Sequence, residues 1–402
     1  MAAIPDGGTR AAPLDYPFFF EPRHVAVAER AAEVAPSLEG IDDEGETDVN
    51  AAGRRALSIL AESGMLSWCV PPEYAPVPIV GTRGTLDARG LCLVREEIAR
   101  ASGLADGMVA LQALGSYPVA LAGSDELKKS FLPSVALGTR IAAFAMTESG
   151  AGSDAAAIAT RARKEGGEWI LDGEKIFISN AGLADGYVVF ARSGEAGSGG
   201  KGLSAFFVEP DAVKSGTLST RQTPMIAPHP IGTVTFDGVR IPAANLLGKE
   251  GDGLKIALTT LDMCRATVGG AANGMARRAL SEAIARTRSR VQFGKPLSEE
   301  PGVQAMLAEM ATDLDAARLL VFRAAWTKDK GQDRITREAA EAKMFATESA
   351  QRTIDAALQL HRGLGVCKGV TVERLYREVR SLRIYEGATE IQRLVIGRAL
   401  TR

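Results

Sequence analysis

Trp169-Ile-Leu-Asp-Gly-Glu-Lys-Ile-Phe-Ile178 sets an Asp-Gly step between two β-prone runs, a local hairpin signature. Asp237-Gly238 repeats the pattern between Thr233-Val-Thr-Phe236 and Val239-Arg-Ile241. From about Ile141 to Leu247, short strands of this kind alternate with turn residues. Several such strands in roughly a hundred residues predict a small barrel or sandwich.

On both sides of this segment the periodicity is helical. Val25 to Val34 and Ala52 to Leu66 carry apolar residues at helical spacing, and acidic Leu38 to Asn50 between them reads as a loop. Pro71, Pro72, Pro76 and Pro78, followed by Gly81 and Gly84, predict an irregular connection. Helix resumes at about Leu86 to Ala101, and again from Asp125 to about Phe131, just before Pro133. Beyond Gly253 the chain is strongly helical. Val303, Met306, Leu307, Met310 and Leu314 form one apolar stripe. Breaks near Gly294-Pro296 and Gly363-Gly365 leave room for four long helices, hence a bundle. The expected domains are helical 1–139, β-rich 140–249 and a four-helix bundle at 250–402, so the fold is mainly α with a central β domain.

A length of 402 residues exceeds what one hydrophobic core usually serves. The hydrophobic fraction of 46% and charged fraction of 24% are those of a soluble globular protein. A net charge of −2 argues against an electrostatic grip on nucleic acid or anionic lipid. Cys69, Cys92, Cys264 and Cys367 form no CxxC pair, and with His24, His229 and His361 scattered there is no zinc-type spacing. The N-terminus lacks a basic start followed by an apolar core, and no uncharged apolar run reaches the ~20 residues of a bilayer span. The expectation is a soluble, cytoplasmic protein with reduced thiols and no metal.

Unaided, the chemical motifs are modest. Gly150-Ala-Gly-Ser-Asp154 is a glycine-rich loop whose N–H groups could approach a phosphate. It is neither a P-loop nor a GxGxxG turn, and by itself it reads first as an ordinary turn. Glu386, in Arg383-Ile-Tyr-Glu-Gly387, reads in isolation as a partly buried structural carboxylate or a helix-start charge.

Taken together and in order, these segments resemble the acyl-CoA dehydrogenase family from about Phe19 to Arg402. The specific stretches are Phe144-Ala-Met-Thr-Glu-Ser-Gly-Ala-Gly-Ser-Asp154, Ile176-Phe-Ile-Ser-Asn180 and Arg383-Ile-Tyr-Glu-Gly-Ala-Thr-Glu-Ile-Gln-Arg393. The resemblance implies an N-terminal helical domain, a central β domain, a C-terminal four-helix bundle, one FAD per subunit and a homotetramer.

By position, Phe144, Met146 and Thr147 would lie along the flavin, and Gly152 and Ser153 would meet the pyrophosphate. Phe177 and Ser179 would cover the flavin near N5, where many relatives have Trp and Thr. Arg290 and Phe293 match residues that reach a neighbouring subunit's FAD, as do Gln359 and Gly363. Arg362 stands where the family often has Gly. Asp262 and Arg265 match positions that bind acyl-CoA, with Ser153, Tyr385 and Gly387 also on the substrate side.

The resemblance makes Glu386 the base that takes the α-proton. A subset of the family places its base directly before the arginine equivalent to Arg265. That position is Cys264, a neutral thiol and a poor base, which argues against an isovaleryl-CoA type of enzyme. The product would be a trans-2-enoyl-CoA, with electrons leaving to electron-transferring flavoprotein. An acyl-CoA oxidase and a non-catalytic flavin- or CoA-binding homologue are the rival readings. Chain length argues against the first, and the presence of Glu386 against the second.

Overall fold

The computed structural model describes residues 10–79, 84–195, 197–213 and 215–401. Part of the proline-rich connection, residues 80–83, lies outside them, as do the first nine residues of the N-terminal stretch. In chain order the helices before the β region are α1 (Ala12–Asp15), α2 (Pro22–Val34), α3 (Ile41–Gly45), α4 (Val49–Glu62), α5 (Ala88–Ala101), α6 (Gly103–Ala122) and α7 (Asp125–Ala136). The strands β1 (Ala142–Ala145), β2 (Arg161–Glu165), β3 (Glu168–Ser179), β4 (Gly186–Arg192), β5 (Leu203–Val208), β6 (Thr217–Gln222), β7 (Ile231–Pro242) and β8 (Leu246–Leu247) follow. Then come α8 (Gly253–Ser289), the short pair β9 (Val291–Gln292) and β10 (Lys295–Pro296), α9 (Pro301–Asp329), α10 (Thr336–His361), α11 (Thr371–Leu382) and α12 (Thr389–Leu400).

These elements divide into two compact units. One holds the chain up to Thr47, Ala88–Asp106 and everything from Asp262 onward; the other holds Asp48–Asp87 and Gly107–Leu261.

Helices α8, α9 and α10 run 37, 29 and 26 residues, and α11 and α12 have 12 each; the first unit takes α8 from Asp262 onward. Small residues let the helices approach. A Cβ on Gly270 would stand 2.7 Å from the Cys92 carbonyl oxygen, so α5 lies almost backbone to backbone on α8. Of the α9 stripe, Val303, Met310 and Leu314 are buried, while Met306 and Leu307 are only half-buried. Val372, Leu375, Val379 and Leu382 form the buried face of α11.

In the second unit the sheet runs β6-β7-β3-β2-β4-β5-β8, with β1 added parallel to β4. Edge-on aromatic pairs fill its core: Phe131 with Phe207 at 4.7 Å and Trp169 with Phe206 at 5.1 Å between ring centroids. On α6, a Cβ at Gly115 would stand 2.7 Å from the Ala143 backbone nitrogen, which brings that helix tight against β1.

Four local expectations are corrected. Neither Asp-Gly step turns a hairpin. Both lie within long strands, β3 and β7, which pair with each other. Leu171 pairs with Val239 and Gly173 with Phe236, so Asp172 stands opposite two residues in a bulge, and its Oδ1 accepts from the Gly238 N–H at 2.7 Å. Leu38 to Asn50 is not a plain loop. It holds α3, where Ile41 is buried and Asp42 Oδ1 accepts from Ser102 Oγ and Leu104 N at 2.8 and 2.9 Å. Helix α7 does not stop before Pro133 but runs on to Ala136, because Phe131, Leu132 and Val135 are buried on one face. Residues 103–122, for which no helix was expected, form α6. Its flanks are apolar nearly all round, so no amphipathic stripe announces it, and Pro118 lies inside it.

Candidate active site

Glu386 lies in the turn between α11 and α12 with φ +53. Its neighbours clamp that left-handed backbone. Arg265 Nε donates to the Glu386 carbonyl at 3.0 Å, Gln392 Nε2 to the Glu386 and Gly387 carbonyls at 3.2 and 2.8 Å, and Lys343 Nζ to the Gly387 carbonyl at 2.9 Å. Gly387 sits at φ +96, where other residues are strained, and a Cβ there would lie 2.5 Å from Gln392 Nε2 and displace that clamping amide. Below the turn, Glu348 holds Arg383 at 2.8 Å and accepts from Thr389 Oγ1 at 2.6 Å.

The Glu386 carboxylate itself is left open. Its Oε2 is buried without a hydrogen-bond partner. Among the described residues no acceptor takes the Glu386 backbone N–H. Burial pushes the carboxyl above the ordinary carboxylate range, against the attraction of Arg95, Arg265 and Lys343. Burial likewise pulls Lys343 down to about 8.

Asp262 and Arg265, one turn apart on α8, are 3.5 Å from each other and both are buried. Asp262 also takes Arg334 at 2.8 Å and the Thr336 hydroxyl at 2.6 Å. Tyr385, next to Glu386 in the chain, is 36% exposed.

In the other unit, Phe144 lies in β1, half-buried, with its ring 4.8 Å from that of Phe190. The carbonyls of Met146 and Thr147 accept from Lys175 Nζ at 3.1 Å and Ile176 N at 2.9 Å, tying this strand end to β3. A buried ion pair, Lys175 to Glu148 at 2.7 Å, anchors the following loop. From that anchor Gly152 and Ser153 emerge exposed, and a Cβ at Gly150 or Gly152 would meet nothing within 4 Å. Phe177 sits in a second β3 bulge at φ +54, its side chain 57% exposed. Two residues on, Ser179 Oγ is 2.8 Å from His229 Nε2.

The remaining expected residues lie on exposed turns of the first unit. Arg290 and Phe293 belong to the β9–β10 hairpin, with Phe293 at φ +51 and 97% exposed; Gln359 and Gly363 are at the end of α10. Among the described residues the non-glycine positions with positive φ are Phe177, Asn180, Phe293, Arg362 and Glu386. Backbone strain of this kind persists where the surroundings over-determine it and concentrates at functional sites. Three of the five are expected site residues and a fourth, Arg362, is the noted departure.

Arg95, Asp106, Lys343, Gln392 and His229 escaped the sequence reading. For Arg95 a signal existed: a lone cation among Leu91, Val94 and Ile98 on a face that turns out fully buried.

Three family models match successive parts of the chain: the acyl-CoA dehydrogenase N-terminal domain over residues 23–139, the middle domain over 143–239 and the C-terminal domain over 251–401. Helical, β and helical segments in that order define a three-domain flavoprotein dehydrogenase architecture. The chain belongs to the acyl-CoA dehydrogenase family.

A probable acyl-CoA dehydrogenase of Mycobacterium leprae is 38% identical, over 94% of this chain and 93% of that one. The butyryl-CoA dehydrogenase structure from Megasphaera elsdenii superposes with a TM-score of 0.85 at 32% identity, covering 95% of this chain and 99% of that one. A glutaryl-CoA dehydrogenase from Mycobacterium smegmatis, solved with FADH2, gives 0.84 at 26%, covering 97% of each. No described helix is long and apolar enough to cross a membrane.

Proposed function

We propose that this enzyme dehydrogenates an acyl-CoA thioester between its α and β carbons, with Glu386 removing the α-proton. The observation that carries this reading is the Glu386 turn, which clamps the backbone with three side chains and leaves a buried carboxylate oxygen unpartnered. A buried carboxylate pushed above its ordinary range is a stronger base than one in water. As the proton leaves, negative charge develops on the thioester oxygen. The uncommitted Glu386 N–H is a donor suited to that oxygen.

The residues of the β unit fit FAD. The glycine loop offers bare backbone for a pyrophosphate, and Phe177 and Ser179 offer an aromatic face and a hydroxyl side by side. In this reading Phe144, Met146 and Thr147 line the isoalloxazine, while Gly152 and Ser153 hold the phosphates. The chemistry FAD supplies when bound is acceptance of the hydride from the β carbon. Arg290, Phe293, Gln359 and Gly363 serve a second subunit's cofactor, which accounts for an almost wholly exposed phenylalanine. Asp262, Arg265, Ser153, Tyr385 and Gly387 face the acyl-CoA. The proposal extends to three domains at 1–139, 140–249 and 250–402, a homotetramer, electron-transferring flavoprotein as acceptor, and a cytoplasmic place in fatty acid β-oxidation.

The test is anaerobic addition of butyryl-, isovaleryl-, glutaryl- and octanoyl-CoA to the purified protein, followed by its visible spectrum. Bleaching of bound flavin by one of them, lost in Glu386→Gln with binding retained, supports the reading. A flavin that none of the thioesters reduces counts against dehydrogenation, and a protein that cannot take up FAD counts against the cofactor site.

A further inference from the structure

Ser179 ends β3, His229 stands two residues before β7, and their side chains meet with Oγ 2.8 Å from Nε2. The backbone builds that contact in. Ser179 pairs with Ile231 across the β3–β7 ladder, and the Asn180 N–H donates to the Pro230 carbonyl at 2.5 Å. Asn180 is fully buried at φ +61, and its Nδ2 donates to the Ala142 carbonyl at 3.0 Å, which fixes the end of β3. His229 directly precedes Pro230, which restricts its own backbone. On α6, the bare Gly107 makes room for the ring, since a Cβ there would lie 3.0 Å from Nδ1 and Cε1.

Among the described residues Ser179 Oγ has no other hydrogen-bond partner, and none bonds His229 Nδ1. Burial keeps the imidazole neutral at pH 7. A neutral ring carries one N–H and one lone pair, so Nε2 either donates to Ser179 or accepts from it. With no partner fixing Nδ1, both tautomers are open.

We propose that His229 is a positioning residue that accepts the hydrogen bond of the Ser179 hydroxyl when FAD is reduced, and so raises the reduction potential of the bound flavin. This rests on Ser179 lying at flavin N5. In an oxidised flavin N5 is an acceptor, whereas in a reduced one it carries an N–H. Toward the acceptor, the Ser179 O–H can point at N5 and needs nothing from His229. Toward the N–H, Oγ must accept, and its own proton then needs a second acceptor. Nε2 stands at the distance for that bond. Without it the hydroxyl proton would be left unpaired in the reduced state alone, and a cost confined to that state lowers the potential.

The experiment measures the two-electron midpoint potential of bound FAD by equilibration with redox dyes, with no acyl-CoA present. His229→Phe keeps a ring and removes the acceptor. Its reduced-to-oxidised ratio at a fixed potential should fall about tenfold, or ~30 mV for a two-electron couple. His229→Gln, whose amide oxygen can take the same hydrogen bond, should stay near the native potential. In a Ser179→Ala background His229→Phe should add no shift, because the hydroxyl through which it acts is gone. A native potential in His229→Phe, or an equal shift in the Ser179→Ala background, overturns the role.

Nitrogen NMR of the native protein gives a second reading that does not depend on His229→Phe folding, with the His229 signal identified by its loss in His229→Gln. Reduction should leave Nε2 without a proton and Nδ1 with one, and an Nε2–H in the reduced protein overturns the role. A protein that takes up no FAD overturns the cofactor reading and this role with it. A native potential in His229→Phe leaves the cofactor reading standing.

Discussion

Asp42 and Glu378 are two buried carboxyl groups that share one guanidinium. Arg374 Nε lies 3.5 Å from Asp42 Oδ2 and 3.8 Å from Glu378 Oε1. Asp42 is further satisfied by Ser102 and Leu104, whereas both oxygens of Glu378 lack a donor. Two adjacent buried carboxylates cannot both stay ionised on one cation, so Glu378 keeps its proton. Burial, reinforced by Asp42, holds it well above the ordinary carboxylate range.

The stability consequence follows from the sign of that shift. A carboxyl whose folded pKa is raised contributes stability that is complete below its ordinary value and lost as pH rises through the folded value. Glu378→Gln removes this titration while keeping size and a donor. Its melting temperature should match the native protein near pH 5 and exceed it by about 2 °C or more at pH 8–9. Melting curves across that range check this, and parallel native and variant curves would mean that Glu378 ionises freely.

Arg362 follows α10 at φ 59 and ψ −138, a conformation that glycine adopts at little cost and other residues do not. Its side chain is exposed, so substitution removes no core contact. Arg362→Gly should therefore stabilise the protein by about 1 kcal/mol, read as a higher urea midpoint at unchanged slope. A lower midpoint would show that the arginine makes a compensating contact in the assembled protein.

The succession of helical, β and helical segments was legible because strands and amphipathic helices differ in period, and α9 and α11 each bury a stripe. What the sequence hid were cases in which distant partners decide. Asp172-Gly173 and Asp237-Gly238 are good hairpin turns locally, but each meets the other strand, and the Asp172 bond to Gly238 N turns the two steps into a bulge. Helix α6 is apolar nearly all round, so periodicity could not mark it. Glu386 was named only through the company of its motif. Of its clamps, Lys343 comes from α10 with no spacing to link it, whereas Gln392 stands inside the same motif but shows its role only through its bonds to the Glu386 and Gly387 carbonyls.

Lys175 and Glu148 form the buried ion pair under the glycine loop. Glu148 also accepts from the Ala159 and Thr160 N–H groups at 2.7 and 3.0 Å. Lys175→Met strands that carboxylate without its cation and should cost about 3–5 kcal/mol. Adding Glu148→Gln should recover much of it. Because this pair roots the Gly150–Asp154 loop, the single variant should also lose FAD during gel filtration under conditions where the native protein keeps it. Retained FAD in a destabilised Lys175→Met would separate the loop from its anchor.

His229 packs its ring so closely on α6 that a Cβ at Gly107 would stand 3.0 Å from Nδ1 and Cε1, while Nε2 meets the Ser179 hydroxyl. Burial lowers the imidazole to about 4, so it is neutral in the folded protein at pH 7. An unfolded histidine binds its proton near pH 6.5. The unfolded chain therefore gains protons first as pH falls, and native stability declines between about pH 6.5 and 4, by no more than about 3 kcal/mol from this group. His229→Gln keeps a hydrogen bond within reach of Ser179 and has nothing to titrate. Urea unfolding at pH 7, 6, 5 and 4.5 should show a shallower loss of stability in the variant than in the native protein. Equal slopes would mean that the fold accepts a charged imidazole at this position without cost, and that Ser179 faces a cation rather than a neutral ring at low pH.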